Sequence, residues 1–304
     1  MIKIKFLGTT ASIPTRERNL PSIFLMFKGE RILFDCGEGT QRQLMNLGLK
    51  FMKINRIFIT HWHADHFAGI LGLIQTMSLE GRKETLYVYG PKRTAEFLEQ
   101  LLTIGYFTRN FRIDVTEMDD GFTIDGKGYK ITAFKVAHKI PSMGYVLEED
   151  PRIRADMKKA KKFGLETSPL IGKLKAGKTI TFKGKEIKPG NIIDNLPGRK
   201  IVYTGDTKYD ENVIRYAKDA DLLIHDSTFA SDKEEDTYDR GHSTAKDAAT
   251  VAKKAKVKHL VLTHISRRYQ DSKDNTSPKI LLDEARMIFK NTTLAEDFME
   301  FEIK

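Results

Sequence analysis

Four side chains that can bind a metal ion lie within six residues, at His61, His63, Asp65 and His66. They follow the apolar run 57–59, which indicates a buried strand. Because residues two apart on an extended chain point to the same side, His61 and His63 can share one ion. Asp65 and His66 come where the chain turns, and we expect them to bind a second ion. Imidazole with carboxylate favours zinc, with manganese or iron as alternatives.

Predicted strands elsewhere in the chain end at residues of the same types. An apolar run followed by Thr-His occurs at His61 and again at His264, and other apolar runs lead to His138, Asp206 and Asp226. Helical segments separate these strands, which predicts a layered α/β fold with its site at the strand ends. Two halves of similar plan place that site in the cleft where their sheets meet.

These later residues complete two ligand groups. We expect His138 to join His61 and His63 on one ion, and His264 to join Asp65 and His66 on the other. A carboxylate has two oxygens to share, so Asp206 can bridge the ions. Two metal ions side by side suit phosphodiester cleavage, in which they stabilise the attacking and leaving oxygens.

Composition sets the class of protein. The chain of 304 residues, 40% hydrophobic and 30% charged, can bury a sizeable core as one large or two ordinary domains. It shows no apolar signal core and no run long enough to span a bilayer. The single Cys36 excludes an internal disulfide framework and fits a small buried apolar residue. We therefore expect a soluble cytoplasmic protein.

The formal charge of +10 is concentrated in one segment. Residues 151–190 contain 12 Lys or Arg and 3 Asp or Glu, a net of +9, against 39 basic and 38 acidic residues elsewhere. A balanced body with a basic insertion predicts a polyanionic partner. The alternative is a solvated charged surface.

Several local structures are predicted for the site and the insertion. Thr40 is expected to cap a helix after the turn that contains Asp35, and a single helix is expected over 67–79. Asp35 either supports the metal site or bonds the glycine-rich turn. Within the insertion we expect a helix over 152–162 and a tip over 170–174.

The motifs resemble the metallo-β-lactamase superfamily, and within it the ribonuclease Z family of tRNA 3′-processing endonucleases. His-x-His-x-Asp-His with His138, Asp206 and His264 is similar to the superfamily's ligand set. The segment 34–43, the loop Pro14-Thr15-Arg16-Glu17-Arg18-Asn19 and the run Gly241-His242-Ser243-Thr244 resemble motifs of the ribonuclease Z family, which usually has Lys where Arg16 stands. The resemblance spans nearly the whole chain.

The resemblance implies a four-layer αβ/βα sandwich over 1–304 with an inserted, flexible, basic tRNA-binding arm at 149–195. It implies two zinc ions per subunit and a homodimer in which one subunit's arm presents precursor tRNA to the other's site. Cleavage after the discriminator nucleotide would leave a tRNA 3′-hydroxyl and a trailer 5′-phosphate.

We expect a metal-bridging hydroxide to attack, oriented by Asp65, which also accepts its proton. We expect His242 to protonate the leaving oxygen while Asp226 holds the His242 ring. The family has Glu where Asp226 stands and a Gly-Pro motif where the arm has Ser168-Pro169. Asp reaches one methylene less than Glu, so this partnership needs a closer approach.

The RNA contacts are predicted from basic and polar residues on the loop, the arm and the segment after His264. They are Arg16, Arg18, Asn19, Arg152, Arg154, Lys158, Lys159, Lys161, Lys162, Lys173, Lys175 and Arg268.

Three other functions fit parts of this pattern less well. A hydrolase of small molecules, such as a phosphodiesterase, thioesterase or lactonase, has no evident need for a +9 arm. Di-iron oxygen reductases resemble His-x-Glu-x-Asp-His, whereas His63 stands at the middle position here. A non-enzymatic RNA-binding protein with structural zinc needs four ligands around one ion, fewer than this chain offers.

Overall fold

The computed structural model describes residues 1–106, 109–269 and 277–304, apart from the side chains of Glu234 and Asp236. The chain divides into two compact units. The core unit consists of Met1–Leu147 with Lys200–Lys304, and the arm unit is Glu148–Arg199. The predicted insertion at 149–195 lies inside the arm unit.

The strands are β1 (Ile2–Gly8), β2 (Ser22–Phe27), β3 (Glu30–Phe34), β4 (Arg56–Phe58), β5 (Leu86–Gly90), β6 (Ile113–Glu117), β7 (Thr123–Gly126), β8 (Tyr129–Lys135), β9 (Met143–Glu149), β10 (Arg152–Ala155), β11 (Ile180–Phe182), β12 (Lys185–Ile187), β13 (Ile193–Leu196), β14 (Lys200–Tyr203), β15 (Leu222–Asp226), β16 (Leu260–Thr263), β17 (Thr292–Leu294) and β18 (Glu300–Ile303). The helices are α1 (Thr40–Asn46), α2 (Ala64–Phe67), α3 (Ile70–Leu79), α4 (Thr94–Thr103), α5 (Met157–Lys162), α6 (Leu170–Lys175), α7 (Glu211–Ala217), α8 (Glu234–Arg240), α9 (Ala245–Ala255) and α10 (Lys279–Ile288). Short 3₁₀ turns occupy Phe51–Lys53, Pro189–Asn191, Ser231–Lys233 and Arg267–Tyr269.

Across the described residues the larger strands form two seven-stranded sheets, ordered β18-β1-β2-β3-β4-β5-β6 and β17-β16-β15-β14-β9-β8-β7. Strands β3 to β6 of the first sheet and β14 to β17 of the second are parallel neighbours. The carboxyl ends of parallel strands meet at one edge of a sheet, so the residues that follow them are brought together.

Apolar side chains from both sheets meet in one core cluster. Phe6 and Phe34 of the first sheet pack with Tyr203 and Val261 of the second. Residues of α1, α3 and α4 cover the other face of the first sheet, and residues of α7, α9 and α10 cover that of the second. Both faces of each sheet are thus buried, and the layers follow in the order helix, sheet, sheet, helix. This arrangement confirms the predicted four-layer sandwich.

The expected helix over 67–79 is divided between α2 and α3. The backbone N–H of Gly69 donates to the carbonyl oxygen of Cys36 at 2.9 Å. A Cβ at position 69 would stand 2.2 Å from the carbonyl oxygen of Gly37, so only glycine permits this approach. This hydrogen bond attaches the end of α2, which carries the candidate ligands Asp65 and His66, to the loop after β3.

Thr40 is the first residue of α1 and not its cap. Gly39, with φ of 80°, occupies the cap position, and the Thr40 hydroxyl donates to the carbonyl oxygen of Gly37 at 2.7 Å. Thr244 is the N-cap of α9, since its hydroxyl accepts from the backbone N–H of Asp247 at 3.1 Å.

The arm unit has a small apolar core of its own, which includes Leu165, Leu174 and Ile187. The expected helix over 152–162 is wrong in its first half, because Arg152–Ala155 pairs with Ile193–Leu196 as an antiparallel ladder. The helix α5 starts only after Asp156, whose carboxylate accepts from two backbone N–H groups. The expected tip is the helix α6.

The ends of the arm unit are joined by a buried ion pair. The carboxylate of Glu149 accepts from Arg199 Nε at 2.7 Å and from Arg199 Nη2 at 2.9 Å. The backbone N–H of Glu149 also donates to the carbonyl oxygen of Arg199 at 2.9 Å. A bidentate pair of this kind fixes geometry as well as charge.

No helix within the described ranges is both long enough and apolar enough to cross a membrane.

Candidate metal centre and active site

All seven predicted metal ligands converge at the carboxyl edges of the two sheets. His61 and His63 follow β4, and Asp65 and His66 lie on α2. The ligand atoms of His61, His63, His138 and Asp206 lie within 4.8 Å of one another, as do those of Asp65, His66 and His264. These are the two groups that the sequence predicted.

Asp206 lies between the two groups. Its Oδ2 is 3.6 Å from His61 Nε2, and its Oδ1 is 3.2 Å from His66 Nε2 and 3.3 Å from His264 Nε2. One carboxylate therefore faces both groups with different oxygens, as the bridging role requires.

The opposite nitrogen of four imidazoles is held by a protein oxygen. His61 Nδ1 is 3.0 Å from Thr60 Oγ1 and His66 Nδ1 is 2.8 Å from Asp35 Oδ2. His138 Nδ1 is 2.7 Å from the Gly241 carbonyl oxygen. Partners of this kind fix the ring and its tautomer, and leave Nε2 free to bind an ion.

His264 is held in the same way by a residue that the sequence reasoning missed. Its Nδ1 is 2.9 Å from Thr228 Oγ1, and that hydroxyl donates to Asp226 Oδ1 at 2.6 Å. The run Asp226-Ser227-Thr228 at the end of β15 was the available signal. His63 differs, since its Nδ1 faces the group, 3.0 Å from His61 Nε2 and 3.2 Å from His138 Nε2.

Asp35 supports the second group, which decides between its two predicted roles. Its buried carboxylate accepts from the backbone N–H of Thr60 at 2.7 Å and from the Tyr203 hydroxyl at 2.8 Å, besides its contact with His66. Tyr203, at the end of β14, was not predicted to take part.

Burial and neighbouring charges set the electrostatics of the cluster. Burial and the nearby His66 lower the pKa of His61 well below its ordinary value. Burial alone would raise the pKa of Asp206, but the charges of His264 and His66 outweigh it and hold that pKa well below the usual range. The carboxylate is therefore ionised at neutral pH, as a metal ligand must be.

The residues fit a pair of divalent cations. His66 Nε2 and Asp206 Oδ1 are buried and have no hydrogen-bond partner among the described residues. Buried polar atoms without partners are rare in folded proteins. Cations between the two groups would satisfy both atoms, and the mixed imidazole and carboxylate set is of the kind that zinc accepts.

His242 forms a pair with Asp226 beside the metal groups. His242 Nδ1 is 2.9 Å from Asp226 Oδ2, so the shorter side chain still reaches its partner. Burial would lower the pKa of His242, but Asp226 reverses the effect and raises it to about 9. Asp226 is fixed in turn by the backbone N–H of Thr207 at 3.1 Å.

The site opens into a cleft of about 810 Å³ lined by His63, Asp65, His138, Asp206 and His242. Four cationic side chains, those of Lys139, Arg240, Arg267 and Arg268, line the same cleft. Arg268 is one of the predicted RNA contacts, and its guanidinium lies 4.9 Å from the centre of the Phe229 ring. A cleft with this lining favours an anionic substrate.

The loop residues predicted to bind RNA divide into two kinds. Arg16 is exposed. Arg18 is only 7% exposed, and its Nη1 donates to Thr9 Oγ1 at 2.6 Å and to the carbonyl oxygen of Ala295. Because this guanidinium is engaged inside the fold, Arg18 is not retained among the proposed RNA contacts. The half-buried Asn19 donates to the Glu38 carbonyl oxygen at 2.9 Å.

Most of the predicted arm cations are exposed. Arg154, Lys158, Lys161, Lys162, Lys173 and Lys175 have exposed side chains. Lys159 is half-buried and paired with Asp194 at 2.6 Å, and Arg152 lies 3.5 Å from Glu149. Lys159 and Arg152 therefore also stabilise the arm unit itself.

Comparison with family models gives two matches. Residues 2–168 match the model described as anti-Pycsar protein Apyc1, and residues 183–265 match the beta-lactamase superfamily domain.

Curated relatives cover the chain more completely. The chain is 47% identical over its full length to a protein of Archaeoglobus fulgidus named ribonuclease Z, covering 98% of that protein. It is 45% identical to a ribonuclease Z of Methanosarcina acetivorans, again over 100% of this chain and 98% of the relative. The crystal structure of human tRNase Z, short form, matches with a TM-score of 0.72 and 30% identity over 99% of both chains. The chain therefore belongs to the ribonuclease Z family, whose members are enzymes with the metallo-β-lactamase fold.

Proposed function

We propose that this enzyme removes the 3′ trailer from precursor tRNA by a metal-dependent endonucleolytic cut just after the discriminator nucleotide. The products would be a tRNA 3′-hydroxyl and a trailer 5′-phosphate. The observation that carries the proposal is the convergence of seven ligands and the His242–Asp226 pair in one cleft with a cationic lining. Full-length similarity to proteins named ribonuclease Z supports the choice of substrate.

The ligands proposed for one ion are His61, His63 and His138, and those for the other are Asp65, His66 and His264, with Asp206 shared. Bound there, two such ions, zinc by their ligand set and otherwise manganese or iron, would lower the pKa of water and neutralise phosphate charge. The protein's own part is to orient the water, hold the phosphate and move two protons.

Asp65 is the proposed acceptor of the first proton. Its Oδ2 lies 3.7 Å from His66 Nε2 and 3.5 Å from His264 Nε2, and the residue lines the cleft. Burial would raise the pKa of Asp65, but the charge of His66 and the contact with His264 lower it overall. The carboxylate is therefore ionised and able to orient a water molecule for attack on phosphorus.

His242 is the proposed donor of the second proton. As water attacks, the bond between phosphorus and the 3′-oxygen breaks, and the leaving oxygen takes a proton from the ring. Because Nδ1 is engaged by Asp226, the transferable proton lies on Nε2. A pKa of about 9 keeps the ring charged near neutral pH, so the acid is present when it is needed.

The arm unit is the proposed tRNA-binding surface. Its exposed cations suit contacts to a phosphate backbone, which fix position without reading sequence. We also propose, on family membership, a cytoplasmic homodimer in which each arm serves the partner's site. Light scattering of the purified protein tests the dimer, and a mass of one chain at micromolar concentration would refute it.

The function is tested with a precursor tRNA that carries a 3′ trailer, incubated with the zinc-loaded enzyme. We expect one cut after the discriminator nucleotide and a trailer bearing a 5′-phosphate. A panel of cyclic nucleotides and diphosphates serves as the comparison. Rapid hydrolysis of that panel with an intact precursor would instead assign a small-molecule phosphodiesterase.

A further inference from the structure

The loop 9–19 lies against the ligand Asp65. The backbone N–H of Ser12 donates to Asp65 Oδ2 at 2.9 Å, and Ser12 has a φ of 57°, in the left-handed region. The same loop contacts the residue after His264. The backbone N–H of Ala11 donates to the Ile265 carbonyl oxygen at 3.0 Å, and the backbone N–H of Ile265 donates to the Thr9 carbonyl oxygen at 2.9 Å. The loop therefore links the proposed ligand Asp65 to the backbone next to His264.

The base of this loop is closed by backbone hydrogen bonds. The N–H groups of Thr9 and Thr10 both donate to the carbonyl oxygen of Asn19, at 2.9 and 3.1 Å. Gly8 makes this approach possible, since a Cβ there would stand 1.7 Å from the carbonyl oxygen of Leu20. The two ends of the loop are thereby fixed to each other.

Arg18 and Asp297 form a buried hydrogen-bond network next to the closed ends of the loop. Arg18 Nη1 donates to Thr9 Oγ1 at 2.6 Å, and the same hydroxyl donates to Asp297 Oδ1 at 2.7 Å. Asp297 Oδ2 accepts from the backbone N–H of Asn19 at 2.7 Å and from Gln43 Nε2 at 2.9 Å. The network joins the loop to α1 and to the segment before β18.

We propose that Arg18 and Asp297 are positioning residues that orient Asp65 for the reaction, acting through Thr9 and the backbone of Ser12. The inference rests on the proposed two-metal hydrolysis. It gives a function to the arginine that the sequence had assigned to RNA.

The chemistry of the network supports this role. Burial lowers the pKa of Arg18, and burial raises the pKa of Asp297 to about 6 against the effect of four hydrogen-bonding or charged neighbours. Keeping both groups ionised is therefore unfavourable, and an apolar base could close the loop more stably. The charged groups instead fix the orientation of the loop, since each hydrogen bond that the Asp297 carboxylate accepts comes from a group on the loop or on α1.

The test compares Asp297→Asn with Glu17→Gln, which makes the same change from carboxylate to amide at an exposed position of the same loop. Hydrolysis of bis(4-nitrophenyl) phosphate is measured with zinc retention against a chelator. For Asp297→Asn we expect kcat to fall about 10- to 100-fold with KM within twofold, and zinc to be lost about 10-fold more readily. Glu17→Gln should match the wild type in all three.

A second pair covers the case in which Asp297→Asn does not fold. Thr9→Val removes the hydroxyl that joins Arg18 to Asp297, and Thr9→Ser retains it. Loss of kcat in Thr9→Val with rescue in Thr9→Ser, at equal melting temperature, supports the inference.

Wild-type kcat and zinc retention in folded Asp297→Asn or Thr9→Val would overturn it. A wild-type enzyme that hydrolyses neither the small diester nor the precursor would instead refute the proposed function, which separates the two failures.

Discussion

The core unit and the arm unit use charged residues in opposite ways. In the core unit Asp35, Asp206, Asp226 and His66 are almost fully buried, and each contacts several named partners. In the arm unit the cations are mostly exposed, and the apolar core beneath them is small. Burial shifts proton affinities and fixes geometry, which catalysis requires. Exposure leaves charge available to a long polyanion.

The comparison predicts that core substitutions change the rate of hydrolysis for every substrate. Arm substitutions should change only the binding of large substrates. Four experiments test this division, in order of expected effect.

Asp206→Ala should have the largest effect, because it removes a carboxylate that faces both ligand groups. Loss of several kcal/mol of charge stabilisation corresponds to a fall in kcat of about 10³-fold or more. Zinc content by mass spectrometry should fall with activity on both precursor tRNA and the small diester. Full zinc content with normal activity would show that Asp206 does not bridge the ions.

His242→Ala should reduce kcat by about 10²- to 10⁴-fold while zinc content stays near normal. The reason is that His242 donates a proton and is not among the seven proposed ligands. Asp226→Asn should act in the same direction with a smaller effect, since the ring remains in place. Zinc loss from His242→Ala would place this histidine among the ligands instead.

Replacing 150–198 by a short Gly-Ser linker should weaken binding of precursor tRNA by about 10²-fold or more. The Glu149–Arg199 pair is retained to close the chain. The phosphate contacts removed are those whose affinity depends on released counterions. Hydrolysis of the small diester should remain within threefold, and equal loss of both activities would make the arm part of the catalytic fold.

Single arm cations should have the smallest effect. Lys162→Ala should weaken tRNA binding a few-fold and reduce the slope of log affinity against log salt by about 1. Glu166→Gln, at an exposed position of the same unit, is the control and should leave the slope unchanged. An unchanged slope in Lys162→Ala would remove that lysine from the tRNA surface.

The sequence predicted those features that depend on local pattern. The strands before His61, His138, Asp206 and His264 were predicted correctly, because each apolar run and the candidate ligand after it are neighbours in the chain. The layered α/β plan followed from the same alternation of strands and helices, and the four-layer sandwich followed from the resemblance to the family. Asp226 reaches His242 despite its shorter side chain.

Features that depend on distant partners were not predictable in this way. Arg18 is buried by a segment about 280 residues later, and its loop motif gives no sign of that partner. The basic residues near Arg152–Ala155 suggested a helix, but this segment pairs with a strand about 40 residues later in the chain. The roles of Thr228 and Tyr203 depend on partners that are far away in the sequence, His264 and Asp35, so only the structure shows them.

The central claim is that seven side chains hold two metal ions in one cleft. It is tested most directly by anomalous diffraction from crystals of the zinc-loaded enzyme. The account predicts two peaks, one among His61, His63 and His138 and one among Asp65, His66 and His264, with Asp206 contacting both. A single peak, or zinc held by other side chains, would contradict it.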